Sequence, residues 1–452
     1  LNISQQNMEN QITKFEVFDV RFPTSQTREA PSDAVHKCIN FSCAYVIVHV
    51  TDAQLTGHGF AFTLGRGTEI TIKRVFSVVS AIKAYEPFVV GETLGEIYGN
   101  FGRFWKMLRN EEQLRWIGPD KGAIHMALAA ITNALWDLWS KIERKPLWKL
   151  LVDMTPEEVV KCLDFTHMSD ALTESEALTI LQQNEPNKAK HETDVLTDNV
   201  PAYITSVGWI GYDDEMIRTL CHKAMADGWT RFKMKVGTSL ADDKRRAAII
   251  RETIGYENKL MTDCNQVWDV QVAIDWMNEL AEFKPLWIEE PTHPDDVEGH
   301  LKIAKALSSL GIRVASGEHC SNAVLFKQYL SRGAIQFAQI DATRLGGVNE
   351  QIMVMLLAKK FGVPVCPHAG GTGLCELVQH LAIFNYIAIA PTWKDTMVEF
   401  ADHLHEHFVH PVRMQRGSYV PPAAQGYSTE MKRQSIETYA FPNGSCWKRN
   451  QH

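Results

Sequence analysis

The sequence predicts an α/β protein, a modified (β/α)7β barrel of the TIM type preceded by an N-terminal α+β capping domain. Three observations carry that expectation. From about residue 200 onward, short β-rich runs alternate with amphipathic helical segments. Eight such runs fit into roughly 200 residues, which suits a closed barrel better than an open sheet. Before about residue 153 the pattern differs, with three strand-like runs followed by helical spacing.

Size and composition set the outer limits. A chain of 452 residues can bury two cores, and 45% hydrophobic with 22% charged residues is ordinary for a soluble globular protein. The net charge of −8 offers no basic footprint for nucleic acid, and no apolar run of about 18 residues offers a membrane span. Nine cysteines, an odd number without a C-x-x-C pair, read as reduced thiols in a reducing compartment. Residues 1–11 lack the profile of a secretory signal, and a removed leader before Leu1 stays open. Mitochondrion and cytosol both fit, and secretion does not.

In chain order, the runs 15–22, 44–50 and 58–64 predict an antiparallel meander. The loop 24–40 between the first two is long and polar, with Pro31 closely following Pro23, and is expected to be a disordered connection or a functional lid. Residues 121–141 repeat Ile124, Leu128, Ile131, Leu135 and Leu138 at helical spacing, a helical layer on the meander. Trp136, Trp139 and Trp148 read as core and not as a stacking platform. The capping domain so defined is 1–153. Residues 154–199 are charged and weakly periodic, an insertion or linker with one short helix, which sets a boundary near Val200. The barrel, 200–402, has predicted strands at 202–206, 232–236, 260–263, 286–289, 313–318, 335–341, 363–367 and 397–400. Helices fill the gaps, for example 241–254, 270–283 and 348–361. After the eighth strand no barrel helix is evident, and 403–452 is expected to return to the capping domain.

Catalytic groups in such barrels project from the C-terminal strand ends. Strand two carries Lys233 and Lys235, and strands three to eight end at or near Asp263, Glu289 with Glu290, Glu318, Asp341, His368 and Glu399. The intervals Asp263 to Glu289 and Glu289 to Glu318, 26 and 29 residues, are each close to one β/α unit. Three neighbouring carboxylates repel and raise their pKa values unless a cation holds them, and an all-oxygen set suits Mg²⁺. Asp263 taken singly would more simply cap the helix starting near Asp269. Lys233 and Lys235, two apart, face one side, the barrel interior. There they either pair with carboxylates across the barrel, or one has its pKa depressed into the range of a general base. His368, in Cys366-Pro367-His368-Ala369-Gly370-Gly371, follows a strand directly, and Asp341 one strand earlier is placed to fix its tautomer. The alternating His403, His405 and His407 suggest a zinc site only weakly, lacking an H-E-x-x-H motif or a cysteine pair. Cys264, Cys320 and Cys366, near site residues, read as small buried side chains.

Lys233-Met234-Lys235, Asp263, Trp287-Ile288-Glu289-Glu290-Pro291, Ser316-Gly317-Glu318, Asp341 and His368 together resemble the enolase superfamily, within it the mandelate-racemase-like acid-sugar dehydratases. Stretches such as Gln113-Leu114-Arg115-Trp116-Ile117-Gly118-Pro119 and Asp402-His403-Leu404-His405-Glu406-His407-Phe408 are similar to the L-fuconate dehydratases and their animal mitochondrial homologues. The resemblance implies Mg²⁺ on Asp263, Glu289 and Glu318, with Lys235 taking the C2 proton of an acid sugar and Lys233 neutralising its carboxylate. It further implies that His368 protonates the departing 3-hydroxyl and that Glu399 hydrogen-bonds the enediolate oxygen; a Lys or His base with metal-stabilised enediolates is the general pattern of this superfamily. Substrate contacts would come from Asp33, Phe41, Asn265, Lys233, Glu318, His368 and Glu399. The implied reaction is dehydration of L-fuconate to its 2-keto-3-deoxy acid, with an acid-sugar racemase or a catalytically silent binding protein as alternatives. Self-association is common in such barrels. This chain departs from the pattern in having Cys264 where Ala is usual, Val267 where a basic residue is common, and Phe41 where Tyr is expected.

Overall fold

The computed structural model describes residues 5–26, 31–37, 39–68 and 77–448. Strands β1 (Ile12–Arg21), β2 (Ser42–Val50) and β3 (Thr56–Thr63) form the antiparallel meander in the order β1-β2-β3. The long helix Gly122–Ile142 packs on it and buries Trp136 and Trp139. The approach is close because Gly57 and Gly59 have no side chains. A Cβ at either would lie within 2.2 Å of the Ala134 or Ala130 carbonyl oxygen.

Residues 154–199 correct the expectation of a linker with one helix. They form three helices, Pro156–Lys161, Glu174–Asn184 and Lys188–Asp198, the first two opened by capping boxes from Thr155 with Glu158 and Thr173 with Glu176. Their buried stripes are narrow: only Ala177 and Leu181 in the second, and Lys188 and Val195 in the third. So little apolar surface leaves almost no helical period in the sequence.

The barrel strands β4 (Val200–Gly208), β5 (Arg231–Lys235), β6 (Lys259–Asp263), β7 (Trp287–Glu289), β8 (Arg313–Ser316) and β9 (Phe337–Ala338) are neighbours in that order, all parallel. Strand β10 (Val398–Phe400) pairs in parallel with β4. The expected seventh strand, 363–367, forms only single bridges, Ala338 with Val365 and Asp341 with His368. Pro364 and Pro367 explain this, since neither has an N–H for a ladder. Their carbonyls still close the ring, accepting from Ala338 N at 3.0 Å and Glu399 N at 3.3 Å. Tyr203, Met261, Trp287, Phe337 and Met397 pack inside the barrel as a separate apolar cluster that floors the site.

The tail adds the hairpin β11 (Met414–Gln415) and β12 (Ser418–Tyr419) to β4, then runs back to β1, where Phe441 N donates to Asp19 O at 2.8 Å. Residues 403–407 do not form a strand, because His405–His407 is a 3-10 turn. Capping domain and barrel are joined at the loop after β9. Trp105 Nε1 donates to Gly346 O at 2.6 Å, Asn133 Nδ2 to Ala342 O at 3.1 Å, and His125 Nε2 lies 2.6 Å from Glu350 Oε2. Gly347, at φ +89°, lets this loop pass against Thr132. Among the described residues no helix is long and apolar enough to cross a membrane.

Candidate active site

Alternation along β5 turns Lys233 and Lys235 into the barrel, while Phe232 and Met234 join the surrounding core. Lys233 Nζ, fully buried, lies 2.8 Å from Glu289 Oε1, 2.7 Å from Glu399 Oε1 and 3.3 Å from Asp263 Oδ2. Lys235 Nζ lies 2.5 Å from the same Asp263 Oδ2 and sits over the Trp209 ring, 5.4 Å from its centroid. Burial lowers both ammonium pKa values, but the surrounding carboxylates outweigh it and hold both above the ordinary lysine value. The carboxylates alone therefore do the reverse of what the sequence suggests for a base. Something must offset Asp263 before Lys235 can give up its proton.

Asp263 does not cap a helix. The helix Val270–Leu280 starts beyond Asp269, and the Asp263 carboxylate instead takes both lysines and, through Oδ1, Asn265 N at 3.0 Å. Burial works against its charge, but Lys235 and Lys233 hold its pKa well below the usual range. Glu289 goes the other way, pushed up to about 8 by burial and by the Asp263 charge. Asp263, Glu289 and Glu318 each offer an oxygen within 4.8 Å of the other two. The set is all oxygen, two of its members are fully buried, and Asn265 Oδ1 beside it is buried without a partner. These residues fit a hard divalent cation.

Across the cavity, His368 Nδ1 lies 2.8 Å from Asp341 Oδ2, whose other oxygen accepts from Thr343 N and Arg344 N, each at 2.8 Å. His368 Nε2 faces Glu318 at 3.5 Å and Glu399 at 3.8 Å. Burial lowers the imidazolium pKa, yet Glu318, Asp341 and Glu399 outweigh it and raise it to about 10. Burial raises the Glu399 pKa, but Lys233 and His368 bring it down to about 2, and its oxygens take Lys233 Nζ and Ala369 N. Asp341, similarly opposed by burial, is held at about 2 by His368.

The cavity above these groups measures about 340 Å³. Its barrel wall carries Lys235, Asn265, Glu318, His368 and Glu399; its other wall carries Ile39, Phe41, Phe62, Val78 and Met126 from the capping domain. The 31–37 part of the expected lid loop lines the mouth, anchored by Ile210 N to Ser32 O at 3.1 Å, while residues 27–30 and 38 lie outside the described residues. Asp33 Oδ1 accepts from Val35 N and His36 N at 2.7 and 2.6 Å, closing a tight turn that also presents His36. Phe41 stands edge-on to Phe62, with centroids 5.4 Å apart.

His319, Arg344 and Trp209 line the cavity although no signal in the sequence singles them out. His319 follows Glu318 directly, so simple alternation would have turned it away. However, β8 ends at Ser316 and Gly317 has φ +147°, so both residues lie beyond the strand geometry on which alternation depends, and His319 Nδ1 lies 2.9 Å from Glu290. Of the three tail histidines, His405 lies 2.8 Å from Glu376 and His407 3.1 Å from Ser435 Oγ, while His403 Nε2 is buried without a hydrogen-bond partner; none joins a metal-binding group among the described residues. Cys264, Cys320 and Cys366 are buried thiols. Burial pushes all three up, Cys366 to about 12, and Cys264 Sγ donates to Glu290 O at 3.2 Å.

Residues 22–152 match the mandelate racemase / muconate lactonizing enzyme N-terminal domain, and residues 216–435 the enolase C-terminal domain-like family. The chain is 53% identical over 439 residues to Mitochondrial enolase superfamily member 1 of Xenopus laevis, covering 97% of each. It is 47% identical over 441 residues to the L-galactonate dehydratase of Hypocrea jecorina, covering 96% of each. The crystal structure of human Mitochondrial enolase superfamily member 1 superposes with a TM-score of 0.95 at 51% identity, covering 98% of this chain and 99% of that one.

Proposed function

The chain belongs to the enolase superfamily, and from that premise we propose that it is a Mg²⁺-dependent hydro-lyase that dehydrates an acid sugar, L-fuconate, to the 2-keto-3-deoxy acid. One observation carries the reading: Lys235 and the Asp341-bonded His368 face one cavity beside three convergent carboxylates. Asp263, Glu289 and Glu318 would hold Mg²⁺, which supplies positive charge against the substrate carboxylate and against the negative charge developing as C2 loses its proton. Asp263, once compensated, loosens its hold on Lys235, the route by which an ammonium pinned by a carboxylate becomes a base.

Lys235 takes the C2 proton. Lys233, anchored by Glu289 and Glu399, keeps a fixed positive charge beside the substrate carboxylate. His368 gives its Nε2 proton to the 3-hydroxyl, which leaves as water, and Asp341 holds the ring in the donating orientation. The enol that remains tautomerises to the keto acid. Glu399, as an ion, has no proton to give an enediolate oxygen, so we assign it to fixing Lys233 and accepting a substrate hydroxyl.

The choice of sugar rests on the capping wall. L-fuconate is the 6-deoxy form of L-galactonate, and Ile39, Phe41, Phe62 and Met126 offer a methyl group an apolar surface. We place the protein in the mitochondrion or cytosol, consistent with eight free cysteines among the described residues and with the name of its relatives. Incubation with L-fuconate, L-galactonate and further acid sugars plus Mg²⁺ tests the reading. A 2-keto-3-deoxy acid is expected, fastest from L-fuconate. An epimer without keto acid would mean a racemase, for which the opposed Lys235 and His368 also have the geometry.

A further inference from the structure

A second imidazole–carboxylate pair faces the same cavity and has no part in the proton transfers above. His319 Nδ1 lies 2.9 Å from Glu290 Oε1, and His319 N donates to that same oxygen at 3.2 Å. The other Glu290 oxygen takes Gln266 Nε2 at 2.8 Å, so this fully buried carboxylate is satisfied on both sides. The backbone around it is strained: Asn265, Gln266 and Glu290 all have positive φ, at +49°, +69° and +45°. Such non-glycine conformations are costly and persist where the surroundings impose them. Here Gln266 N and the Cys264 thiol both donate to Glu290 O, at 2.9 and 3.2 Å, and clamp it in place. That network holds one object towards the cavity, the His319 ring. Its side chain keeps 22% exposure, and among the described residues no protein group meets its Nε2.

We infer that His319 is a substrate-contacting residue whose Nε2 hydrogen-bonds a hydroxyl of the acid-sugar chain, and that Glu290 is its positioning residue. The inference rests on the acid-sugar reading above. A hydroxyl suits this place better than a carboxylate, because Glu290 and Glu318, 2.9 and 3.7 Å from Nδ1, would repel an anion brought to the ring. Glu290, Glu318 and His319 are also close enough together to hold a metal. However, the ring nitrogen and the carboxylate are already hydrogen-bonded to each other, which a shared cation would not permit.

His319→Asn is the informative substitution. Its amide keeps a donor near the Nδ1 position for Glu290 but removes the atom that reaches the cavity. In the Lys235→Ala background, which suppresses turnover, titrate the Mg²⁺-loaded protein with L-fuconate, with L-galactonate and with oxalate, a metal-binding anion without hydroxyls. His319→Asn should weaken both sugars by about tenfold, the order expected for one lost hydrogen bond in a buried site, and leave oxalate and Mg²⁺ affinity within about twofold. Glu290→Gln should weaken the sugars in the same direction by less. Unchanged sugar affinity in His319→Asn, oxalate weakened in step with the sugars, or reduced Mg²⁺ affinity would each overturn the inference while leaving the dehydratase reading intact. If the Lys235→Ala parent binds oxalate but neither sugar, the acid-sugar reading fails and this inference fails with it.

Discussion

The two walls of the cavity follow different rules. On the barrel wall, Lys235, Asp263, Glu289, Glu318 and His368 come from strand ends and are fixed by one another through short ion pairs and hydrogen bonds. On the capping wall, Ile39 and Phe41 come from the loop before β2, Phe62 from the end of β3 and Met126 from a helix, with Phe41 packed edge-on to Phe62. The difference separates chemistry from selection. Charges that hold each other in place leave little room for substitution, whereas an apolar wall can be reshaped without disturbing them.

The largest expected effect breaks the barrel wall. Lys235→Ala should remain folded and lose turnover by about 10³-fold or more, the scale of removing a positioned base; full turnover in the purified variant would remove Lys235 from that role. Asp263→Asn comes next. It should abolish Mg²⁺ binding by calorimetry and also lower the melting temperature, because two buried ammonium groups lose a shared partner, a loss costing about 3–5 kcal/mol when a buried pair is broken.

The capping wall should respond more gently. Phe41→Tyr puts a hydroxyl at the apolar end and should shift preference from L-fuconate towards L-galactonate by a few fold in kcat/KM, a change of about 1 kcal/mol. A drop in kcat equal for both sugars would show that the two walls are not separable. The smallest effect concerns charge within the capping sheet. Burial and the nearby Lys141 depress His58 to about 4, so its contribution to stability is full above the unfolded value near 6.5 and is lost as pH falls towards 4. His58→Gln should therefore show a shallower loss of melting temperature between pH 7 and pH 5 than the parent. An identical slope would mean that His58 already titrates normally in the fold.

The barrel wall was legible in the sequence for a physical reason. A β/α unit has a nearly constant length, so strand-end carboxylates recur at 26 and 29 residues, and two-residue alternation turned Lys233 and Lys235 inward together. Legibility failed where that regularity failed. Pro364 and Pro367 reduced the seventh strand to bridges, and β8 ended at Ser316 before Gly317 at φ +147°, which left His319 outside alternation. The helices of 154–199 were hidden by their narrow buried stripes, although the capping boxes Thr155-x-x-Glu158 and Thr173-x-x-Glu176 were readable signals. The capping wall had no such signal. Contacts such as Phe41 with Phe62 depend on how the β2–β3 hairpin pairs, and packing of that kind leaves no period to read.

The division of labour between base and acid is tested most directly by proton exchange at C2. In D₂O with Mg²⁺ and L-fuconate, His368→Asn should exchange the C2 proton for deuterium without releasing keto acid, because Lys235 is intact and the acid for the 3-hydroxyl is gone. Lys235→Ala should do neither. Absence of exchange in His368→Asn, or exchange surviving in Lys235→Ala, would contradict the assignment.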